Sequence, residues 1–301
     1  MRKRSRWLAL SSAVLAVAGA TAAAAITLHP STDAPPASTP VAAAVTPAEP
    51  SSLTGKTLRV GFNGEIPGWS FPAKQPKGFD VDLANYLAQQ LGFTVVPVAL
   101  TPYEREGALV SGKVDLVIAN YSMDGVSTTD KTKARKDVID FAGPYFVDRS
   151  GQMIDDKKLN DMTGQTALID PRHICVTRGT TAEDKLGARA KDTLQECLHP
   201  FFDPADRQFA AVQTDEAILL SVAQYEKASV TDARWQNGSL INPTEHYGVG
   251  LRKGDRDTCV ELTGKIQEFV RSKVWETSYE ALHIPATIQH RPIGNEPSYC
   301  Y

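Results

Sequence analysis

The sequence predicts an α/β protein built as two small lobes, on three observations. Strand and helix periodicities alternate from residue 58 onward, the alternation restarts near Gln152, and the run Val114-Asp-Leu-Val-Ile-Ala119 is too apolar for a strand with one wet face. A strand of that last kind belongs to a parallel sheet covered on both sides. Strands alternating with helices are the pattern of α/β layers.

Leu58-Arg-Val-Gly-Phe62 opens the first set as a short strand, followed by a loop over residues 63–76 that carries Trp69 and Phe71. Asp80 then stands where a helix cap belongs, ahead of Leu83, Ala84, Leu87, Ala88 and Leu91 at helical spacing. Gly92 ends that helix, because glycine adopts the left-handed backbone of a C-terminal cap without strain. A strand over 94–98, a helix over 103–111 and the apolar strand over 114–119 complete the set. The second set runs from a strand at Ile174-Cys-Val176 through Gly179-Thr-Thr181 into a helix over 182–190, then from Phe209-Ala-Ala-Val212 into a helix over 216–226. Beyond Tyr247-Gly-Val-Gly-Leu251, a helix over 255–270 presents Leu262, Ile266, Phe269 and Val270 on one face.

The chain has 301 residues, is 42% hydrophobic and carries a net charge of -3, enough for one or two cored domains without the basic excess that nucleic acid requires. Arg2-Lys3-Arg4 and Arg6 precede an apolar run over 7–28, the plan of an export segment. Small residues over 18–25 offer cleavage sites, yet the run also has the length to span a bilayer, so segment 1–28 is either a signal peptide or a membrane anchor. Residues 29–52 are mainly Pro, Ala, Ser and Thr and form an extended linker with too little apolar surface to fold. All four cysteines, Cys175, Cys197, Cys259 and Cys300, follow the export segment, where disulfides form. Their spacing allows three pairings, of which Cys175 with Cys197, inside one lobe, and Cys259 with Cys300, which pins the C-terminal tail, is favoured. With scattered histidines and no C-x2-C pair, no metal site is expected, and no cofactor.

Four strings in fixed order carry a more specific message: Gly78-Phe79-Asp80-Val81-Asp82-Leu83, Phe141-Ala142-Gly143-Pro144-Tyr145, Gly179-Thr180-Thr181 and Thr214-Asp215-Glu216-Ala217-Ile218-Leu219. Together they resemble the extracellular solute-binding proteins of family 3, the amino-acid receptors that feed ABC importers. The resemblance implies a two-lobed periplasmic-binding-protein-like fold of type II. Lobe 1 would comprise 53–147 and 246–285, lobe 2 would be 148–245, and 286–301 would form a C-terminal tail. Two chain crossings would then make a hinge about which the lobes close on a ligand.

A free amino acid presents a carboxylate and an ammonium on one carbon, so its receptor needs a fork of donors and an acid. Arginine supplies the bidentate fork. The resemblance places Arg135 in that role, helped by Ser122, by the Thr180 hydroxyl and by the Thr181 amide at a helix start. It places Asp215 on the ammonium, although Asp215 also stands where it would cap the following helix. Twelve residues separate Ser122 from Arg135, more than the family usually has, so the polar insert over 124–133 either bulges away and lets Arg135 reach the cleft or leaves it on the surface. Trp69 or Phe71 would cover the ligand's aliphatic part. Arg105 falls where relatives that bind glutamate or aspartate carry an arginine, which would select a second carboxylate.

The expected function is capture of a polar, on one reading acidic, amino acid by a monomeric extracytoplasmic protein that delivers it to an ABC permease in the membrane. A membrane-tethered sensor domain is the alternative, favoured by the long linker. An enzyme is not expected, since G-x-S-x-G and H-E-x-x-H are both missing from the sequence.

Overall fold

A computed structural model of the chain describes residues 51–164, 170–225, 244–285, 289–294 and 296–301, together with the backbone of 233–237. The export segment, nearly all of the linker and part of the stretch after residue 164 lie outside the described residues.

Residues 49–301 form one compact unit holding two five-stranded sheets. The first half contributes β1 (Thr57–Phe62), α1 (Phe79–Leu91), β2 (Thr94–Ala99), α2 (Glu104–Val110), β3 (Leu116–Val117), α3 (Arg135–Val138) and β4 (Ile139–Asp148). There follow β5 (Ser150–Asp155), α4 (Asp156–Thr163), β6 (Ile174–Thr177), α5 (Thr181–Leu186), β7 (Arg189–Lys191), α6 (Gln195–Phe202), β8 (Ala211–Asp215), α7 (Glu216–Tyr225) and β9 (Ala233–Asn237). The chain closes with β10 (Glu245–Arg252), α8 (Arg256–Val270) and α9 (Lys273–Glu280). The strand orders are β2-β1-β3-β10-β4 and β7-β6-β8-β5-β9.

This is an α/β, two-lobed architecture with two chain crossings. The chain leaves the first sheet between Asp148 and Ser150, and β10 returns to it antiparallel to both β3 and β4. β1 is parallel to β2 and to β3, as the apolar run at 114–119 requires, but the paired part of that run is only Leu116–Val117. In the second sheet β6 is parallel to β7 and β8.

Two local expectations are corrected. Asp80 does not cap α1: the helix begins at Phe79, Gly78 precedes it with φ 125, and a Cβ there would sit 2.3 Å from the Gly68 carbonyl. Asp80 instead lies inside the fold, accepting from Tyr145 Oη at 2.8 Å and from the Asn120 amide at 3.1 Å. The helix expected over 182–190 stops at Leu186, where Gly187 turns left-handed and Arg189–Lys191 joins the sheet as β7.

An aromatic core sits beside the crossings. Phe146 stacks on Tyr247 at 5.6 Å and on His290 at 4.8 Å, and Trp69 meets Phe146 edge-on at 4.9 Å. Such pairs add directional preference to a large apolar burial. Disulfides join Cys175 to Cys197 and Cys259 to Cys300, with Cα separations of 5.6 and 5.5 Å. The second lies where the tail pairs with the outer edge of β4: Phe141 and Tyr299 exchange two backbone hydrogen bonds, and the Val147 amide donates to His290 O. The tail thus covers an edge strand that would otherwise expose unpaired amides.

Candidate functional site

The carboxyl ends of β1, β3, β6 and β8 face a common cleft, the usual place for a ligand in an open α/β sheet. Six of the eight residues named as binding candidates line it: Arg105, Ser122, Arg135, Thr180, Thr181 and Asp215. Asn63, Asn120, Ile66, Pro102, Leu194 and Ile218 complete most of the wall. Little room is left between them: the volume open to the centre of a water-sized sphere is about 30 Å³. Arg105 and Arg135 both donate to Gly179 O across this space, so the two walls are in contact.

Arg135 is nearly fully buried, although it follows the polar insert. Its Nη1 donates to Ser122 O at 3.1 Å and to Asp124 O at 2.9 Å, and its Nη2 to Gly179 O at 2.9 Å. Its Nε is buried without a partner among the described residues. Arg135 thus keeps Nε–H and one Nη2–H free, the number of donors that a bidentate carboxylate contact uses.

Arg105 is more fully engaged. Nε donates to Pro102 O at 2.9 Å, Nη1 to Ala119 O at 2.9 Å and Asn120 O at 3.3 Å, and Nη2 to Gly179 O at 3.1 Å. Burial, and then the neighbouring Arg135, push its pKa down to about 10, so it stays cationic at neutral pH. Tyr121 packs against both guanidinium groups, 4.4 Å from Arg105 and 5.4 Å from Arg135. An aromatic face is a favourable neighbour for a desolvated cation.

The insert over 124–133 neither bulges away nor strands Arg135. Glu106 accepts from the Thr129 amide at 2.9 Å and from the Ser127 and Thr129 hydroxyls, holding the loop on α2. From there the Val126 amide donates to Asp184 Oδ2 at 3.2 Å and Lys131 pairs with Asp184 at 3.5 Å, so the loop touches α5 of the other lobe.

The hydroxyls expected to serve as donors are committed elsewhere. Ser122 Oγ donates to Glu245, and Thr180 Oγ1 donates to Thr177 O at 2.7 Å while capping α5 by accepting from the Glu183 amide at 3.4 Å. Trp69 is not in the cleft. The Phe79 and Asp80 amides bond back to Gly68 O and Trp69 O, drawing the indole into the aromatic core, where Nε1 donates to Ser221 Oγ at 3.2 Å. Phe71 is also outside, edge-on to Tyr225.

Asp215 ends β8 and does not cap α7. The Ala217 amide donates to Asp148 instead, at 3.2 to 3.3 Å, which leaves Asp215 to accept from Tyr247 Oη at 2.5 Å. Burial and the nearby Glu245 carboxylate push Asp215 up to about 7, opposed by the Tyr247 hydrogen bond and by Arg105 and Arg135. Asp148 is also raised, by burial and by Asp215. Glu245 and Tyr247 were not foreseen, since β10 comes from the returning crossing. Asn120 was not singled out either, although its place just after a buried strand is a signal of the right kind.

Asp148, Glu216 and His290 bring one ligand-type atom each within 4.8 Å of one another. Arg149 Nε bonds Glu216, and the Arg149 and Ala217 amides bond Asp148, so these oxygens already serve a hydrogen-bonded network at the crossing. A wider depression of about 460 Å³ at the opposite end of the first sheet is lined by Arg59, Asp115 and Arg252, whose charges pair with one another.

Two lobes, a double crossing and a charged cleft at the strand ends define a ligand-binding protein of the periplasmic type. The chain belongs to the bacterial extracellular solute-binding proteins, family 3, whose model matches residues 58–282. It is similar to the glutamate-binding protein GluB of Corynebacterium efficiens, 22% identical over 255 residues that span 76% of this chain and 82% of the relative. A probable histidine-binding protein of Neisseria gonorrhoeae is 27% identical over 251 residues, spanning 77% of this chain and 85% of the relative. Among solved structures, a solute receptor for L-cysteine of Neisseria gonorrhoeae has a TM-score of 0.62 at 23% identity, over 77% of this chain and 93% of the receptor. An ancestral arginine-binding protein bound to glutamine has a TM-score of 0.60 at 24% identity, over 74% of this chain and 96% of its own. Family members are amino-acid-binding receptors of the extracytoplasmic space.

Proposed function

We propose that this protein captures a polar amino acid between its lobes and delivers it, chemically unchanged, to the permease of an ABC importer. The reading rests above all on Arg135, a buried guanidinium whose Nε–H and one Nη2–H are unmet among the described residues, in the same small cleft as Asp215. The free donors take the ligand carboxylate, Thr181 at the start of α5 supplies a backbone amide beside it, and Asp215 takes the ammonium. The lobes open to admit the solute and close over it, excluding water so that each charged contact strengthens. In this scheme segment 1–28 exports the protein or anchors it, and the linker over 29–52 gives it reach.

An acidic ligand is a second reading, favoured by Arg105 in the same wall. It requires Arg105 to exchange some of its backbone carbonyl partners for a second carboxylate. Isothermal titration of the purified protein with the common amino acids tests the proposal. Micromolar or tighter binding of one of them, lost in Arg135→Ala, is the expected result; no binding of any amino acid would refute it.

A further inference from the structure

We infer that Asn120 reads the ligand's side chain and selects an amino acid ending in a neutral group that both donates and accepts hydrogen bonds, a carboxamide or a hydroxyl. This inference rests on the amino-acid-binding reading above and adds to it the class of side chain.

Asn120 is fixed as few residues of the cleft are. Its φ is 49, a left-handed conformation that asparagine tolerates better than most residues. Its backbone is held on both sides, the amide donating to Asp80 Oδ2 at 3.1 Å and the carbonyl accepting from Arg105 Nη1 at 3.3 Å. The side chain is therefore presented from a rigid base. It lines the cleft at 5% exposure, and neither Nδ2 nor Oδ1 has a hydrogen-bond partner among the described residues. Buried carboxamides are rarely left wholly unmet, and one that faces a cleft calls for a partner that enters it.

The requirement on the partner follows from the group itself. A carboxamide offers two donors on nitrogen and an acceptor on oxygen. A carboxylate satisfies the nitrogen but sets its own oxygen against Oδ1, and an ammonium does the reverse. A second carboxamide or a hydroxyl satisfies both ends. The neighbouring walls from Ile66, Pro102, Leu194 and Ile218 offer no side-chain hydrogen bond that competes for these atoms. Arg105, which a ligand carboxylate would need, has all three guanidinium nitrogens engaged by backbone carbonyls.

The test is titration calorimetry on the full chain with L-glutamine, L-asparagine and L-serine against L-glutamate, L-aspartate and L-arginine. Asn120→Gly keeps the backbone conformation and removes the carboxamide, and Asn120→Asp keeps the shape but supplies only acceptors when ionised. The wild type is expected to bind one of the neutral polar amino acids at least tenfold more tightly than any charged one. Asn120→Gly should lose that preference while its affinity for the charged amino acids changes less than threefold, and Asn120→Asp should lose it too. A wild type that prefers a charged amino acid, or a folded Asn120→Gly or Asn120→Asp variant with the wild-type preference, overturns the inference while leaving the amino-acid-binding reading intact. A wild type that binds no amino acid removes both.

Discussion

Arg135 of the first lobe donates through Nη2 to the carbonyl of Gly179 in the second, at 2.9 Å, so one side chain joins the two walls of the cleft. Gly179 permits this approach: its φ is 78, and a Cβ there would lie 2.6 Å from Tyr103 Cα. The same guanidinium supplies the free donors assigned to the ligand. Arg135→Ala should therefore weaken amino-acid binding and lobe contact together. Leaving a buried charge without its partner costs about 3 to 5 kcal/mol, so affinity should fall at least about a hundredfold. Calorimetry with the preferred amino acid checks it, and an unchanged Kd would remove Arg135 from the site.

On the proposed role, Asp215 should give the binding a pH dependence. Its pKa is pushed up to about 7 by burial and by Glu245, with Asp148, Tyr247, Arg105 and Arg135 facing the same group. An ammonium needs the anionic form, so binding below pH 7 must expel a proton. Affinity should rise between pH 5.5 and 8, with proton release visible as a dependence of the binding heat on buffer ionisation enthalpy. Asp215→Asn should flatten that dependence. The unliganded protein should behave oppositely. A carboxyl raised in the folded state contributes stability below its unfolded pKa that is lost as pH rises through 7, and Asp80, also at about 7, adds in the same direction.

The alternating α/β plan was legible from periodicity, and six of the eight named cleft candidates were legible only because the resemblance carries positions, such as Arg105 in α2 and Arg135 after the insert, that spacing alone does not mark. What periodicity does not mark is direction. Trp69 stands in a loop beside the right strand, and only the backbone bonds that fold the loop onto α1 send it into the core. Thr180 and Ser122 were correctly placed, but the partners that take their hydroxyl protons are a carbonyl three residues back and an acid 123 residues on. Long-range partners of that kind leave no trace in spacing. Nor could the sequence show that the insert after Ser122 would lie against the second lobe, since its contacts there are two bonds to one aspartate.

Those two bonds predict a kinetic effect. Asp184 accepts from the Val126 amide and pairs with Lys131 across the cleft, and both contacts break when the lobes part. The ion pair is exposed on the lysine side and contributes little. The hydrogen bond to a charged acceptor is solvent-exposed, which cuts its worth to about 0.7 to 2 kcal/mol. Asp184→Ala should leave the fold intact and raise the ligand's dissociation rate about three- to thirtyfold, with a smaller change in the association rate. Stopped-flow tryptophan fluorescence separates the two. A dissociation rate equal to the wild type would show that the insert does not latch the closed form.

Cys259 and Cys300 tie the tail to α8, and between that bond and the hinge the tail pairs with β4 at Phe141 and Val147. His290 stacks on Phe146 and donates from Nδ1 to Val147 O at 2.7 Å, immediately before the chain crosses to the second lobe. Without the disulfide the tail peels from an edge strand, exposing its amides and uncovering the hinge aromatics. Removing a native disulfide from a secreted domain costs about 2 to 5 kcal/mol. For a folded unit of this size, that corresponds to a Tm lower by about 4 to 20 °C. Cys300→Ser paired with Cys259→Ser, which avoids a free thiol, should show this drop in a thermal melt. The double variant should also lose amide-exchange protection first at Val147 and Phe141, because their bonds are the ones the tail supplies. Loss of protection confined to α8 would place the disulfide's effect on that helix instead of on the strap across the hinge.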